Sequence, residues 1–150
     1  MKSFFIAALV GLAAAAPAAP AQDFLNSCDA NSVKVTGRIL QANCKNIAGA
    51  LKCSKLDLNK CLKNTYGSLQ ADPTGAGPSL ADQCINCSNS KTEGGFVVGP
   101  GGGPTLVHCQ CNPGTGAAKE NWPLAMIDIN TIVDNNNGIL ECYKTKGTAC

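Results

Sequence analysis

Apolar and polar residues alternate in two short segments of the chain, Leu56-Asp57-Leu58-Asn59 and Ile127-Asp128-Ile129-Asn130. Alternation with a period of two is typical of a β-strand with one buried face. Each segment is followed by polar residues around a glycine and then by a second short segment that starts at Ser68 or at Ile139. The pattern predicts two units, each made of a strand, a tight turn and a second strand.

The two units are copies of one pattern. The second follows the first at a constant spacing of 71 positions, which aligns Asn64 with Asn135 and Gly67 with Gly138. Asn and Gly tolerate the left-handed backbone that tight hairpin turns require. We interpret the chain as two halves, about 23–70 and 82–143, joined by a Pro- and Gly-rich insert at 71–81 and followed by a short tail at 144–150.

The N-terminus has the features of a secretory signal. Lys2 precedes an apolar run, Phe4 to Ala16, and the small residues Ala19-Pro20-Ala21 follow it. This pattern predicts a signal peptide at 1–21 and a secreted, extracellular chain of residues 22–150. The run is shorter than the roughly 20 apolar residues that span a bilayer, so we expect no membrane insertion.

Charge and motif content argue against several function classes. Twelve basic and ten acidic side chains give a net charge of +2, with no basic cluster of the kind that binds nucleic acid. The only histidine, His108, fits no metal-binding or triad motif, so we expect neither a metal, a cofactor nor catalytic residues. Asp57 and Asp128 are an unconvincing glycosidase pair, because they occupy equivalent positions of the two copies and so predict a repeated structural role. A carbohydrate-active enzyme is therefore the weakest alternative.

Ten cysteines in an exported chain predict five disulfides. The competing interpretation is a zinc site formed by Cys84, Cys87, Cys109 and Cys111 beside His108. Export argues against zinc, because free thiols are oxidised outside the cell. Spacing alone leaves the pairing of the cysteines open.

The order of these motifs carries a family resemblance. A cysteine pair, an alternating strand and an N-x-x-G-x-L turn run from Cys28 to Leu69 and again from Cys84 to Leu140. This tandem arrangement resembles the cyanovirin-N homology domain over nearly the whole mature chain. The resemblance implies a mostly β, elongated fold of two pseudo-symmetric halves, each with a three-stranded sheet and a hairpin, in which segments are exchanged between the repeats. It also implies a lectin for mannose-rich oligosaccharides, and the Cys-rich secreted form is similar to fungal members.

The resemblance implies the disulfides Cys28–Cys44 and Cys84–Cys111. Proximity in the sequence then suggests three more pairs, which are Cys87–Cys109, Cys53–Cys61 and Cys142–Cys150.

The resemblance further implies two sugar pockets, each built by loops of both halves. The second-hairpin pocket would use Asp23, Asn26, Ser27, Lys45, Asn46, Ile47, Asn135, Asn136 and Asn137. The first-hairpin pocket would use Lys63, Asn64, Thr65, Tyr66, Asp82, Gln83 and the residues Asn112 to Thr115. Amides, hydroxyls and backbone groups fixed on turns suit sugar hydroxyls, which both donate and accept hydrogen bonds.

Two departures from the family pattern favour the second-hairpin pocket. Lys63 replaces an acid, and Asn112-Pro113-Gly114 replaces basic and polar side chains. The insert at 71–81 or a Gly-rich insert at 92–104 could cover or extend a pocket. The alternative function is a secreted, disulfide-rich interaction or effector protein that keeps the fold without binding sugar.

Three further expectations concern packing, modification and assembly. Trp122 is expected to pack in the core, because its large apolar body is usually buried. Asn86-Cys87-Ser88 matches the N-glycosylation acceptor N-x-[ST], with a predicted disulfide cysteine in the middle position. We expect a monomer, with a domain-swapped dimer as the alternative for two similar halves joined by a linker.

Overall fold

The structure is a computed structural model that describes residues 24–93, 96–98 and 103–150. The predicted signal peptide and Asp23 lie outside the described residues. Within that part of the chain, no helix has both the length and the apolar character needed to cross a bilayer.

Strands dominate the described chain, as the alternating pattern predicts. In chain order they are β1 (Lys34–Thr36), β2 (Ile39–Lys45), β3 (Leu51–Asp57), β4 (Leu62–Thr65), β5 (Ser68–Ala71), β6 (Cys84–Asn89), β7 (Lys91–Glu93), β8 (Phe96–Val98), β9 (Leu106–Cys111), β10 (Leu124–Asp128), β11 (Asp134–Asn136), β12 (Ile139–Cys142), β13 (Thr145–Lys146) and β14 (Thr148–Ala149). The helix α1 spans Leu80–Gln83, and short 3-10 turns occur at Phe24–Asn26, Ala30–Ser32, Leu58–Lys60 and Lys119–Asn121.

Each half contributes a three-stranded antiparallel sheet, β1-β2-β3 in the first and β6-β9-β10 in the second. The two sheets meet where β1 pairs with β6, and together with β14 they form one seven-stranded sheet in the order β10-β9-β6-β1-β2-β3-β14. Alternate residues of β2 and β9 are buried. The two alternating segments are strands only in part, because β3 ends at Asp57, β10 ends at Asp128 and a 3-10 turn follows at Leu58–Lys60. The first strand of each hairpin is instead β4 or β11, which lies among the polar residues before the glycine. The mostly β fold of two similar halves is therefore confirmed.

A buried asparagine joins the halves at this seam. The Oδ1 atom of Asn89 accepts a hydrogen bond from the Val35 amide at 2.8 Å, and its Nδ2 atom donates to the carbonyls of Val33 and Pro104 at 3.2 and 2.9 Å. Because a buried amide must be paired, these bonds fix the relative position of β1 and β6.

Each hairpin lies against the sheet of the other half. The first hairpin, β4-β5, is bonded to the loop after β9, since Asn64 Nδ2 donates to the Asn112 carbonyl. The second hairpin, β11-β12, lies on β3, where the Leu140 amide donates to Ser54 Oγ at 2.9 Å. This exchange is the one implied by the family resemblance.

The C-terminal tail is more structured than the sequence indicates. Its strand β14 pairs antiparallel with β3, with Thr148 opposite Lys55, and so extends the large sheet by one strand. The preceding strand β13 extends the second hairpin. Two-residue strands are too short to produce a recognisable alternation.

Five disulfides are present and all ten cysteines are paired. The predicted bonds Cys28–Cys44, Cys84–Cys111 and Cys87–Cys109 are present. The proposed local pairs Cys53–Cys61 and Cys142–Cys150 are wrong, because the bonds are Cys53–Cys150 and Cys61–Cys142. The tail strand carries Cys150 to β3, and the second hairpin brings Cys142 against the first half. Both contacts join residues far apart in the sequence, so proximity along the chain could not predict them. The four cysteines of the zinc alternative, Cys84, Cys87, Cys109 and Cys111, are all disulfide-bonded in this pairing.

Candidate functional site

The first hairpin ends in a tight turn that its sequence dictates. Tyr66 and Gly67 form the turn, with φ of 50° and 84°. Two consecutive left-handed residues are the geometry of a type I′ hairpin. The Oδ1 atom of Asn64 accepts from the Gly67 amide at 2.9 Å and holds the turn closed.

The turn is fastened to the second half of the chain. Asn64, which is 5% exposed, donates from Nδ2 to the Asn112 carbonyl at 2.8 Å. Asn112 in turn accepts at Oδ1 from the Gly114 amide at 2.8 Å. The Tyr66 ring lies so close to Gly114 that an added Cβ there would stand 2.9 Å from Cδ1. Tyr66 is nevertheless 83% exposed, so one face of its ring remains open to a ligand.

The insert between the halves folds around one carboxylate. Asp72 is only 2% exposed and accepts at Oδ1 from the Thr74 hydroxyl at 2.7 Å and at Oδ2 from the Gly77 amide at 2.7 Å. The Thr74 hydroxyl and the Gly77 amide, in that order, hold the pKa of Asp72 below its ordinary value of 3.8, against an opposing effect of burial. The insert is therefore a fixed loop rather than an open linker.

This loop packs directly on the first hairpin. At Gly77 an added Cβ would lie 2.7 Å from the Cβ atom of Lys63. Only a residue without a side chain fits at this distance. The insert thus forms one wall of a cleft whose other walls are the hairpin and the loop after β9.

The cleft encloses about 390 Å³. Its lining combines amide, hydroxyl, ammonium and aromatic groups, and the residues are Lys63, Asn64, Thr65, Tyr66, Gly77, Pro78, Gln83, Asn112 and Gly114. The Gln83 side-chain amide forms no hydrogen bond within the described part of the chain, so its donor and acceptor are both available. Such a surface can bind a polar ligand with several hydroxyls.

The cleft corresponds to the first-hairpin pocket. Seven of its predicted residues line the cleft together, namely Lys63, Asn64, Thr65, Tyr66, Gln83, Asn112 and Gly114. Asp82 and Thr115 are exposed and lie outside the lining. Gly77 and Pro78 were missed as individual site residues, although the position of the insert next to Asp82 was the signal that could have found them.

The opposite end repeats the same construction. Asn137 and Gly138 form a left-handed turn with φ of 54° and 88°. Asn135 accepts at Oδ1 from the Gly138 amide at 2.8 Å and donates from Nδ2 to the Lys45 carbonyl at 2.8 Å. The bonds match those of Asn64 one by one, which shows that the asparagine of the repeated N-x-x-G motif is first of all a structural residue.

Other amides of the second-hairpin pocket are also engaged by the protein. Asn137 accepts at Oδ1 from the Ile47 amide at 2.8 Å, and Asn46 accepts from the Ala50 amide at 2.9 Å. Asn136 donates to Glu141 Oε2 at 3.1 Å.

The remaining predicted residues of this end divide into exposed and internally bonded ones. Asn26 and Lys45 are exposed, and Ile47 is 91% exposed. The Ser27 hydroxyl donates to the Phe24 carbonyl at 3.2 Å. Asp23 lies outside the described residues.

The residues considered for other chemistry have structural roles. Asp57 and Asp128 each accept the amide two residues ahead, at 3.0 and 2.9 Å, which is the repeated role predicted for them. Trp122 is 7% exposed, as expected, and His108 lies on β9 beside Ser88, where burial lowers its pKa. Among the described residues there is no group of three or more His, Cys, Asp or Glu that could hold a metal ion.

The family assignment follows from a direct comparison. The family model for the CVNH domain matches residues 24–141, which spans both halves and both hairpins. The chain belongs to the CVNH family. A comparison with curated protein sequences returns no match.

Solved CVNH structures share the fold. The Gibberella zeae CVNH protein is 23% identical, with 81% of this chain and 98% of that chain covered and a TM-score of 0.58. A MoCVNH3 variant in complex with (N-GlcNAc)4 is 15% identical over 83% and 99% of the two chains, with a TM-score of 0.60. Microvirin in complex with mannobiose is 22% identical over 80% and 97%, with a TM-score of 0.50. At these identities the likeness concerns the fold.

Proposed function

We propose that this CVNH protein is a secreted, non-catalytic lectin that binds mannose-rich oligosaccharides, with the first-hairpin pocket as its stronger site. The observation that carries the proposal is the cleft of about 390 Å³, whose mixed lining of polar, aromatic and other apolar groups comes from both halves and from the insert. A preformed cleft loses little conformational freedom when a ligand binds.

The chemistry of the cleft matches a sugar. Gln83 offers a free donor and acceptor, and Lys63 offers a cation that can donate to ring or hydroxyl oxygens. The open face of the Tyr66 ring can pack against the apolar C–H face of a pyranose. No bond-breaking group is required for any of these contacts.

The second-hairpin pocket is proposed as a weaker second site. The sequence favoured this end, but most of its amides are already engaged within the protein. The exposed side chains of Asn26 and Lys45 remain available there. Two sites on one chain would give avidity toward clustered glycans.

The relatives support carbohydrate as the ligand class, since CVNH structures include complexes with mannobiose and with (N-GlcNAc)4. The preference for mannose over GlcNAc oligomers is the finer part of the proposal. A titration should therefore compare mannobiose, a mannose-rich N-glycan and (N-GlcNAc)4.

The decisive experiment titrates these sugars into the oxidised protein and into variants of each end. Gln83→Ala removes one side-chain amide from the first-hairpin pocket, and we expect at least about a fivefold loss of affinity, equivalent to one net hydrogen bond. Gln41→Ala is the matched control, because Gln41 lies on β2 and does not line the cleft. Lys45→Ala tests the second-hairpin pocket in the same way.

The outcomes separate the alternatives. Loss of affinity in Gln83→Ala alone places the main site in the cleft, and loss in Lys45→Ala alone places it at the opposite end. Absence of binding to any glycan by verified folded protein would remove the lectin proposal. Shortened oligosaccharides after incubation would instead indicate an enzyme.

A protein-binding role is the second candidate, and an exposed apolar strip favours it. Leu124 and Met126 are 51% and 49% exposed on β10, which is an edge strand of the seven-stranded sheet. Exposed apolar side chains on an unpaired edge are typical of surfaces that meet another chain. This role would fit a CVNH protein that has lost sugar binding.

Secretion is part of the proposal and rests on two observations. The N-terminal pattern predicts a signal peptide at 1–21, and five disulfides are stable in an oxidising compartment. N-terminal sequencing of the protein recovered from culture medium should begin at Gln22, which would also confirm the domain limits of 22–150.

A further inference from the structure

The sequence contains a single N-x-[ST] match, Asn86-Cys87-Ser88. This motif lies on β6, between β9 and β1. In a regular strand the asparagine backbone would be hydrogen-bonded within the sheet. The pairing of β6 with β9 is instead irregular between Ile85 and Ser88.

A β-bulge lifts the asparagine out of the regular ladder. The register of β6 on β9 pairs Ile85 with Gln110 and Ser88 with His108, so that Asn86 and Cys87 together stand opposite one residue of β9. Asn86 adopts a left-handed backbone with φ of 53° and is exposed. Its side chain therefore reaches the surface.

The surface beside Asn86 has room for a sugar. A groove of about 220 Å³ includes Asn86 itself and is bordered by Gly37, Arg38, Leu80 and Ala81. Its border includes the exposed Ala81 of α1 and the Arg38 side chain, which pairs with Asp57 at 3.4 Å. This groove shares no lining residue with the first-hairpin pocket.

We propose that Asn86 is an N-glycosylation site and that the groove beside it leaves room for the first sugar. The co-reactant is a lipid-linked pyrophosphate oligosaccharide of the secretory pathway. A bond forms between Asn86 Nδ2 and C1 of the first sugar, the C1–O bond to the pyrophosphate breaks, and Nδ2 gives up one proton as the lipid pyrophosphate leaves. No electrons are transferred to or from an outside partner.

The fold tolerates the product. Asn86 Nδ2 donates to Gln110 Oε1 at 2.7 Å, and the modified nitrogen keeps one N–H with which to make that bond. Cys87 is also compatible, because its partner Cys109 follows 22 positions later, and the chain can be modified before this disulfide closes.

The test expresses the full chain in a eukaryotic secreting host and measures the intact mass of the protein from both medium and cells. We expect the mass of one N-glycan, removed by a peptide-N-glycosidase that leaves aspartate at position 86. Unmodified protein in both fractions would overturn the proposal.

Two substitutions at Ser88 distinguish the motif from the local structure. Ser88 also contacts His108 at 3.3 Å, so Ser88→Ala removes both the acceptor hydroxyl and this contact. Ser88→Thr retains the motif. We expect the glycan to be absent in Ser88→Ala and Asn86→Gln and present in Ser88→Thr, whereas a glycan that persists in Ser88→Ala and Asn86→Gln would place the modification elsewhere.

Discussion

The repeated asparagines Asn64 and Asn135 illustrate how one residue can look like a ligand contact and serve the fold instead. Each accepts a turn amide and donates to a carbonyl of the other half. A carboxamide used in this way has only one N–H and one lone pair left for a ligand. Substitution should therefore alter stability before it alters sugar binding.

We predict that Asn64→Ala lowers the free energy of unfolding by about 1–3 kcal/mol, because the Gly67 amide and the Asn112 carbonyl lose their partner at a part-buried site. Thr65→Ala is the neighbouring control, since its hydroxyl contacts Gln70 Oε1 at an exposed position and should matter less. Denaturant unfolding with the disulfides intact measures both. Equal midpoints for the two variants would contradict the structural role.

Asp72 should make stability depend on pH. Its pKa in the folded protein lies below the ordinary 3.8, so the folded state gains stability from the carboxylate above that value and loses it as the pH falls through the folded pKa. Asp72→Asn replaces one carboxylate oxygen by an NH2 group. A donor can then face the Gly77 amide, which loses its acceptor. We expect the variant to be less stable at pH 7 and the difference to narrow below pH 3.8. A difference that stays constant on acidification would contradict this.

The insert is an element that the chain uses to build the first-hairpin pocket. Its Gly77 has no room for a side chain, because an added Cβ would stand 2.7 Å from Lys63 Cβ and 2.8 Å from Asp72 Oδ2. The insert cannot move without breaking the hydrogen bonds of Asp72. We therefore expect it to determine which ligands fit into the cleft.

We predict that Gly77→Ala displaces this wall and weakens sugar binding at the first-hairpin pocket by several fold, since a misplaced polar contact costs about 1 kcal/mol. Ala76→Ser is the control, because residue 76 is exposed next to it. Titration of a mannose-rich glycan measures the effect. Unchanged affinity in Gly77→Ala, in a protein whose cleft does bind sugar, would show that the insert takes no part.

Elements with strong local signals were predictable, and elements defined by distant contacts were not. The second strands of both hairpins start at Ser68 and Ile139 as predicted, because Asn-x-x-Gly encodes a turn locally. The strand β14 carries no comparable signal, since it exists only by pairing with β3. The same distinction applies to the cleft. Its turn residues were predicted from a local motif, whereas the position of the insert depends on the hydrogen bonds of the buried Asp72.

At the scale of the whole molecule, two disulfides join the C-terminal part of the chain to the first half. Cys53–Cys150 and Cys61–Cys142 have sequence separations of 97 and 81, against 16 for Cys28–Cys44. In the chain-entropy model a loop of about 100 residues contributes about 4.7 kcal/mol, compared with about 3 kcal/mol for a loop of about 15. The bonds also hold the second hairpin on the first half of its own chain.

This arrangement predicts how the protein assembles. Domain swapping requires the second hairpin to leave its own first half, and Cys61–Cys142 prevents this while the bond is intact. We therefore expect oxidised protein to stay monomeric by light scattering, even after unfolding and refolding at high concentration with its disulfides closed.

Refolding from the reduced state provides the complementary measurement. Reoxidation at high protein concentration should yield some dimer that persists on a non-reducing gel, because an exchanged hairpin places Cys142 of one chain beside Cys61 of the other. Peptide mapping of that dimer should recover Cys61–Cys142 as an intermolecular bond. A dimer in protein that was never reduced would show instead that assembly uses a surface outside the exchanged hairpins, for which the exposed Leu124 and Met126 of β10 are the first residues to substitute.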